Sequence, residues 1–231
     1  MLTHPAAPAI STPTLVKGEN MPFIVQAIIH PAPGRGGDVR PLLEEQVQRL
    51  QTSRRANLAM TLFGGARNFY VNQLFADLTA ADAYLASPES QIDPAWLARL
   101  APLLGQPSSF HLGEVVVPMP ADGSQTSGFN YQATLYPKPE SGRRLGELAA
   151  ELARLDQAAG SRVAVGRLVA GEGDARLFVS HLFGSLAEIE HFRQKSQDDA
   201  GRLKIIEQAL PLMARPVSFE IRQILIAMQL A

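Results

Sequence analysis

Short segments of alternating apolar and polar residues recur along the chain and predict β-strands. The first is residues 23–30, FIVQAIIH, which is rich in β-branched residues. Comparable segments follow at residues 58–65, 69–75 and 110–117. After the first, apolar residues recur every three or four positions, the spacing of an amphipathic helix that Asp38 is expected to cap. Asp77 and Asp93 are predicted to cap two further helices, so the predicted order is β-α-β-β-α-β with a short extra helix before the last strand.

The same order is predicted twice, because the chain contains an internal repeat. Residues 70–84 read YVNQLFADLTAADAY and residues 178–192 read FVSHLFGSLAEIEHF, a separation of 108 positions. The separation is 106 near the start of each half and 109 near its end. The second copy predicts a helix capped by Ser185, an apolar stripe at Leu145, Leu148, Leu152 and Leu155, and strands at 129–136, 163–170, 177–183 and 219–226. A repeat of about one hundred residues has the size of a domain rather than of a solenoid unit.

The repeat divides the 231 residues into two predicted units. The first unit is predicted to span residues 21–119 and the second residues 129–231. Residues 120–128 between them are rich in Pro, Gly and Ser, which is typical of a linker. Residues 1–20 match nothing in the second half and are predicted to form a flexible tail.

The two faces of the first predicted strand differ in character. Since successive side chains of a strand point to opposite faces, residues 23, 25, 27 and 29 share an apolar face that suits helix packing. The opposite, mixed face carries Ile24, Gln26, Ile28 and His30, and it is too apolar to remain in water. Two such sheets that close mixed face to mixed face form a barrel within one chain. The predicted fold class is therefore α+β, with two antiparallel sheets packed into an intramolecular α/β barrel.

This order of elements resembles the dimeric α/β-barrel superfamily, in which ferredoxin-like units pair sheet to sheet. The nearest shapes within it are the antibiotic-biosynthesis-monooxygenase-like and NIPSNAP-like domains. The resemblance covers residues 21–119 and 128–231, and it is carried by the element order and by the strand, Asp or Ser cap and helix seen at residues 74–87. It implies one of several activities: cofactor-free monooxygenase, haem-degrading enzyme, chlorite-dismutase-like haem protein or lactone isomerase, beside members of unknown activity. The fold does not distinguish among these activities, so the distinction depends on the residues of the site.

Matching positions of the two units carry the candidate chemistry. Gln26 and Gln132 place an amide on the mixed face of each unit, either to orient a small polar ligand or to make a structural hydrogen bond across the pseudo-twofold axis. His30 and Tyr136 end the two first strands, either as an acid, base or donor at the barrel mouth or as partly exposed strand ends.

Gln73 and His181 match on the third strand, on the side opposite Asn72. A His on an otherwise apolar strand face is more often a satisfied core residue than a catalyst. One side of this strand must nevertheless line the crevice between helices and sheet. The sequence thus predicts catalytic roles for His30, Tyr136 and His181, and ligand-binding roles for Gln26, Gln132, Asn72 and Gln73.

Composition removes several classes of partner. The net charge is −1 and no basic stripe occurs, which argues against nucleic acid. No apolar run approaches the ~20 residues of a membrane span, and no secretory signal pattern is present, so a soluble, cytoplasmic protein is expected. The chain has no Cys and its His residues show no ligand spacing, so no metal site is expected. Haem is a minor option implied by the resemblance, with His191 as its axial ligand.

Two functional hypotheses of different class remain open. In the first, the chain is a cofactor-free oxygenase or isomerase that acts on a small apolar or aromatic molecule in a dry cavity. In the second, it is a non-catalytic ligand-binding or stress-associated protein that uses the same cavity. A buried titratable His or Tyr beside a closed pocket would favour the enzyme, and a barrel interior filled by side chains would favour the second. The expected partner is a small molecule, and the expected state is a monomer with an internal pseudo-twofold or a homodimer.

Overall fold

The structure is a computed structural model that describes residues 21–52, 55–87, 90, 92–120, 128–171 and 173–228. The predicted tail, 1–20, and most of the predicted linker, 120–128, lie outside these residues. The first half contains β1 (Phe23–Ile29), α1 (Gly36–Gln51), β2 (Arg55–Phe63), β3 (Phe69–Phe75), α2 (Leu78–Leu85), α3 (Pro94–Leu100) and β4 (Ser109–Val117). The second half contains β5 (Phe129–Leu135), α4 (Gly142–Ala158), β6 (Arg162–Gly171), β7 (Leu177–Phe183), α5 (Leu186–Gln197), α6 (Ala200–Ala209) and β8 (Ser218–Ile226).

The eight strands form one closed antiparallel barrel in the order β1-β3-β2-β8-β5-β7-β6-β4. The first strand of each half is central in its own sheet, since β1 pairs with β3 and β4, and β5 pairs with β7 and β8. The halves join where β2 pairs with β8 and β4 with β6, and the register shifts along both seams. The predicted intramolecular barrel is thus confirmed. Since neighbouring strands alternate in direction, β1 and β5 run the same way and end at the same mouth of the barrel.

Helices cover the outside of the barrel, as the apolar face of the first strand predicted. Val39, Leu43 and Val47 of α1 belong to a buried cluster with Leu58 and Phe69 of the sheet. In the second half, α4 packs on the sheet through Ala149, Ala150 and Ala153, which cluster with Val163, Val165 and Val179. Each helix thereby buries one apolar stripe mainly against strands of its own half, and the α4 cluster also includes Val117 of β4. The opposite side chains of these strands point into the barrel.

Three of the predicted helix caps are confirmed and one is wrong. Asp77 accepts a hydrogen bond from Ala80 N, Asp93 from Ala95 N, and Ser185 from Glu188 N. Asp38 does not cap α1, because the helix begins at Gly36. Asp38 lies in the first turn, where its carboxylate accepts from Arg35 Nε at 2.7 Å.

Other local predictions need smaller corrections. The second strand runs from Arg55 to Phe63 rather than over 58–65, because its pairing with β3 begins at Arg55. Leu155 lies on the predicted apolar stripe of α4 but is 36% exposed, since the helix buries a narrower face than the stripe suggests.

Candidate functional site

The barrel interior holds hydrogen-bonded polar side chains. Gln26 Nε2 donates to Asn72 Oδ1 at 2.7 Å, and Asn72 Nδ2 donates to Asn57 Oδ1 at 2.7 Å. On the other side, Arg222 Nη1 donates to Gln132 Oε1 at 3.0 Å. Gln26 and Gln132 therefore lie inside the barrel, but each bonds within its own half rather than across the pseudo-twofold axis. Asn72 faces the interior, as Gln26 does.

A further network crosses the seam between the halves. Arg222 Nη2 donates to Glu220 Oε2 at 2.6 Å, and its guanidinium lies 3.6 Å from the centre of the Tyr70 ring. The Tyr70 hydroxyl donates to Glu220 Oε2 at 3.3 Å and accepts from Thr61 Oγ1 at 3.2 Å. Tyr70, Thr61 and Arg222 are buried. Satisfied networks of this kind rigidify a core. In this structure Gln26, Gln132 and Asn72 have protein side chains as their hydrogen-bond partners.

His30 and Tyr136 end strands at the same mouth, but each bonds within its own half. His30 lies 3.0 Å from Asn68 Oδ1 through Nδ1 and 3.4 Å from Ser109 Oγ through Nε2. The Tyr136 hydroxyl lies 2.9 Å from Ser218 Oγ. Ser109 and Ser218 match in the repeat, so the two contacts are pseudo-symmetric. In the described residues, no hydrogen bond joins His30 to Tyr136, and the structure does not bring them into one constellation.

A different cluster lies between the second-half sheet and its helices. His181 of β7 and Asp156 of α4 are each 4% exposed, and Nε2 of His181 lies 2.9 Å from Asp156 Oδ2. Arg202 of α6 forms an ion pair with the other oxygen of Asp156. A carboxylate can only accept, so Nε2 carries a proton. Three elements thus meet in a buried Asp–His–Arg cluster.

The Asp156 carboxylate is ionised at neutral pH. Burial acts to raise its pKa, but the hydrogen bonds from His181 and Arg202 outweigh burial and hold the pKa below its usual value. Asp156 is therefore placed to accept a hydrogen bond from His181 and to orient its ring.

Aromatic rings cover His181 and lead from it to solvent. The ring of Phe192 lies 4.6 Å from that of His181 and 5.4 Å from that of Phe183, measured between centroids. Tyr131 stacks on Phe219 at 5.6 Å and meets Phe192 edge-on at 6.5 Å. Phe219 is 49% exposed, so this aromatic cluster reaches solvent at its Tyr131–Phe219 edge. Flat, apolar molecules are the ligands that such walls accommodate.

The Tyr131 hydroxyl stays protonated at neutral pH. Burial raises its pKa, and the positive charges of Arg193 and Arg202 offset only part of this rise. A protonated phenol in a crevice can donate a hydrogen bond to a bound oxygen.

An apolar cavity of about 90 Å³ lies between α4, α6 and the end of β5. Its lining is entirely apolar: Leu135, Leu145, Leu148, Ala149, Leu152, Ile205, Ile206, Ala209, Leu210, Met213 and Val217. Asp156 and Arg202 close one end of the α4–α6 seam, one helical turn beyond the lining residues Leu152 and Ile205. At the other end, Arg144 Nη2 lies 3.3 Å from Gln208 Oε1. The cavity and the Asp–His–Arg cluster are therefore neighbours along one seam.

The first half lacks this chemistry at the matching positions. Gln73 stands in place of His181, Val25 in place of Tyr131 and Leu50 in place of Asp156. Gln73 faces the helices, as His181 does, and its Oε1 is buried without a hydrogen-bond partner among the described residues. At these matching positions the first half has no acid–base pair.

Sequence reasoning missed two members of the cluster. Asp156 falls on the buried face of α4, four positions after Leu152, and an acid on an apolar stripe is a signal that a buried partner exists. Arg202 gave no such signal, because α6 buries few side chains and its pattern is weak. His181 was singled out, but neither partner could be identified without the fold.

The described residues do not fit a haem group. His191 is exposed on α5, and the Nε2 of His181 is held by Asp156. Among the described residues, no three His, Cys, Asp or Glu side chains lie close enough to share a metal ion.

No protein-family model matches the chain, and no curated protein matches its sequence. Solved structures do share its fold. A putative monooxygenase from Fusobacterium nucleatum superposes with a TM-score of 0.68 at 11% identity, over 89% of this chain and 93% of that one. An anthrone oxidase-like protein gives 0.64 at 12%, over 89% and 92%. A putative monooxygenase from Lactobacillus acidophilus gives 0.64 at 8%, over 88% and 94%.

These likenesses extend over nearly the whole of each chain, at identities that establish the fold alone. The chain therefore has a tandem ferredoxin-like α/β-barrel fold, with both halves of the barrel in one polypeptide. None of the described helices is both long and apolar enough to cross a membrane.

Proposed function

We propose that the chain binds a small apolar or aromatic carbonyl compound in the second-half crevice and that His181 removes a proton from it. One observation carries the proposal: a buried Asp156–His181 pair lies beneath an aromatic wall, and the first half has no counterpart of it.

The chemistry begins with general base catalysis. His181 Nδ1 takes a proton from a carbon next to the carbonyl, while Asp156 stabilises the imidazolium that forms. His181 and Asp156 are each 4% exposed, and burial of this kind strengthens their charge interactions. An isomerase returns the proton to another carbon. A cofactor-free oxygenase instead lets the carbanion react with dioxygen: CH₂ becomes C=O, one oxygen atom is retained and the other leaves as water.

Two observations favour the crevice over the barrel as the ligand site. Gln26, Gln132 and Arg222 are hydrogen-bonded inside the barrel, and these bonds would have to break to admit a ligand. The aromatic cluster over His181 reaches solvent at Phe219, which is 49% exposed.

A second candidate function is non-catalytic ligand binding, with the Asp–His–Arg cluster as a structural connection between α4, β7 and α6. The ion pair between Arg202 and Asp156 favours it, because that pair balances the buried carboxylate without any charge on His181. The two candidates differ in whether a bound carbonyl compound loses a proton.

Solvent deuterium exchange tests that first step directly, whichever reaction follows. One of the similar structures is described as anthrone oxidase-like, and anthrone is an aromatic ketone with an acidic methylene group. We therefore choose anthrone and the smaller 2-tetralone as probes. Proton NMR in D₂O would follow loss of the methylene signal, and an oxygen electrode would follow uptake in parallel.

We expect the protein to accelerate exchange, and His181→Gln to reduce the acceleration by about 10²–10⁴-fold, the usual contribution of a general base. Gln is the residue at the matching first-half position, so the fold should accept it. The control is His191→Gln on the exposed face of α5, which should leave exchange unchanged. Equal exchange rates for wild type and His181→Gln would refute the proposal, and probe binding without exchange would establish the non-catalytic candidate.

A further inference from the structure

The α4–α6 cavity lies where the first half of the chain has larger side chains. Three residues of its lining are smaller than their matches in the repeat: Ala149, Ile205 and Ala209 stand in place of Leu43, Trp96 and Leu100. The three first-half residues are buried, and Trp96 Nε1 donates to the Leu42 carbonyl at 2.9 Å. Leu145 is larger than its match Val39, but it offsets only part of the difference. The fold can therefore fill this seam, and the second half leaves about 90 Å³ of it open.

The lining defines what the cavity can hold. It offers no polar side chain, and a buried water needs about two to four polar partners, so the cavity does not suit water. Its volume of about 90 Å³ lies below the about 150 Å³ of a buried apolar cavity that holds a benzene ring. Leu210 is the only exposed residue of the lining, so a guest enters from solvent beside it. The cavity therefore suits an apolar molecule smaller than benzene.

The position of the cavity indicates which small molecule this is. Asp156 follows the lining residue Leu152 by four positions, and Arg202 precedes the lining residue Ile205 by three. The cavity thus ends about one helical turn from the cluster that holds His181. An unfilled cavity is costly, because its lining loses dispersion contacts. A small apolar co-substrate of the reaction at His181 explains why the second half retains it.

We infer that the α4–α6 cavity binds molecular dioxygen, the co-substrate of the oxygenase form of the proposed reaction. This inference rests on the proposed function and selects the oxygenase over the isomerase. Dioxygen is apolar, so burial and dispersion contacts suffice to hold it. It is also diatomic, so small side-chain motions allow its passage, and the cavity need not share a wall with His181. The Asp156–His181 pair and the three smaller side chains occur in the same half of the chain.

NMR with dioxygen gas tests the binding site, because dioxygen is paramagnetic and speeds the relaxation of methyl protons that it contacts. Methyl-labelled protein is equilibrated with dioxygen, and with argon as the diamagnetic blank. We expect the relaxation enhancement at Leu145 and Ile205 to be at least about threefold larger than at the buried first-half residues Leu43 and Leu100, where larger side chains occupy the matching seam. This comparison uses only the wild-type protein. Equal enhancement in the two halves would overturn the inference.

Two variants give the second half the residues of the first. Ala149→Leu and Ala209→Leu should each lower the enhancement at Leu145 and Ile205 to the level of the first half, because a leucine fills the space of the guest. Ala158→Leu, at the exposed end of α4, is the control and should respond as the wild type does. Thermal unfolding shows whether each variant is folded. Enhancement that persists in both filled variants would place the dioxygen elsewhere and refute the inference.

Oxygen uptake with anthrone tests the role as co-substrate. Ala149→Leu should raise the KM for dioxygen at least about threefold, because it removes binding that precedes the reaction. Ala158→Leu should keep the wild-type KM. An unchanged KM in both filled variants, or proton exchange in the wild type without oxygen uptake, would overturn this role.

The inference and the proposed function fail in different ways. If the inference alone is wrong, the methyl groups of the lining respond no more than those of the first half, but the aromatic ketones still exchange their protons in a His181-dependent manner. If the proposed function alone is wrong, the lining responds to dioxygen as expected while no carbonyl probe exchanges in the wild type.

Discussion

Substitution of Asp156 by Asn removes the charge that holds His181 and Arg202 together in the second-half crevice. The side chain keeps its shape, but Arg202 keeps its positive charge at 9% exposure without a balancing anion. Removing one member of a buried ion pair typically costs about 3–5 kcal/mol, because the remaining charge stays desolvated. For a chain of this length, that loss lowers the melting temperature by roughly 6–20 °C.

Urea unfolding followed by far-UV circular dichroism measures the effect as a lower midpoint at unchanged slope. The control is Glu151→Gln, which neutralises an exposed acid on the same helix and should change the free energy of unfolding by less than about 0.5 kcal/mol. A triple variant replaces the whole cluster by apolar or neutral side chains: Asp156→Leu, His181→Gln and Arg202→Met. Its stability should return close to that of the wild type, because well-packed apolar residues replace buried ion pairs at little net cost.

The reasoning would be refuted by a loss for Asp156→Asn no larger than that of Glu151→Gln, since Arg202 would then be solvated. It would also be refuted if the triple variant were as unstable as the single one. In that case the loss would come from shape rather than from an unbalanced charge.

Three further predictions follow from the same contacts. Because the folded-state pKa of Asp156 is lowered, its contribution to stability is present above the usual Asp range and is lost as pH falls through the folded-state pKa. The free energy of unfolding should therefore depend less on pH in the acid range in Asp156→Asn than in the wild type. Identical acid profiles for the two proteins would contradict this. Tyr70→Phe removes the hydroxyl between Thr61 and Glu220 and should cost about 1 kcal/mol in urea unfolding, while a neutral result would mean that the network contributes little. Because burial raises the pKa of Tyr131, its phenolate absorbance should appear at a pH above the usual value near 10. The stability that the neutral phenol provides should be lost as pH rises through the folded-state pKa. Arg193→Gln should raise the pKa of Tyr131 further, and an unperturbed titration of Tyr131 would contradict both expectations.

The internal repeat made the fold predictable. Each half contains the same succession of strands, caps and helices, and alternation along residues 23–30 separated a helix-packing face from a mixed face. A mixed face that cannot stay in water requires a second sheet, and the second half of the chain supplies it. Local signals were reliable where one residue decides the backbone, as at Asp77, Asp93 and Ser185. They failed at Asp38, because the turn that starts α1 closes on backbone groups of residue 35 instead.

The candidate site was only partly predictable. Gln26 and Gln132 could be placed in the barrel from alternation alone, since the side-chain period of a strand is two. Their partners could not, because hydrogen bonds inside a barrel join residues far apart in sequence, such as Arg222 and Gln132. For the same reason the sequence could not show that these interior side chains are hydrogen-bonded to one another. Those hydrogen bonds are why the candidate site is placed outside the barrel, between the sheet and the helices.

The surroundings of His181 illustrate which features the sequence determined and which it did not. The sequence by itself determined the repeat, the strand that carries His181 and the side of that strand on which it lies, because these follow from local periodicity. Only the tertiary structure decided that this side faces the helices, that Asp156 arrives from α4 and that Arg202 arrives from α6. Along the chain, Asp156 lies 25 positions from His181 and 46 positions from Arg202, its two hydrogen-bond partners. Burial rather than local pattern brings these three residues together. A buried charge must find its partner wherever the fold supplies one, and no local pattern records where that is.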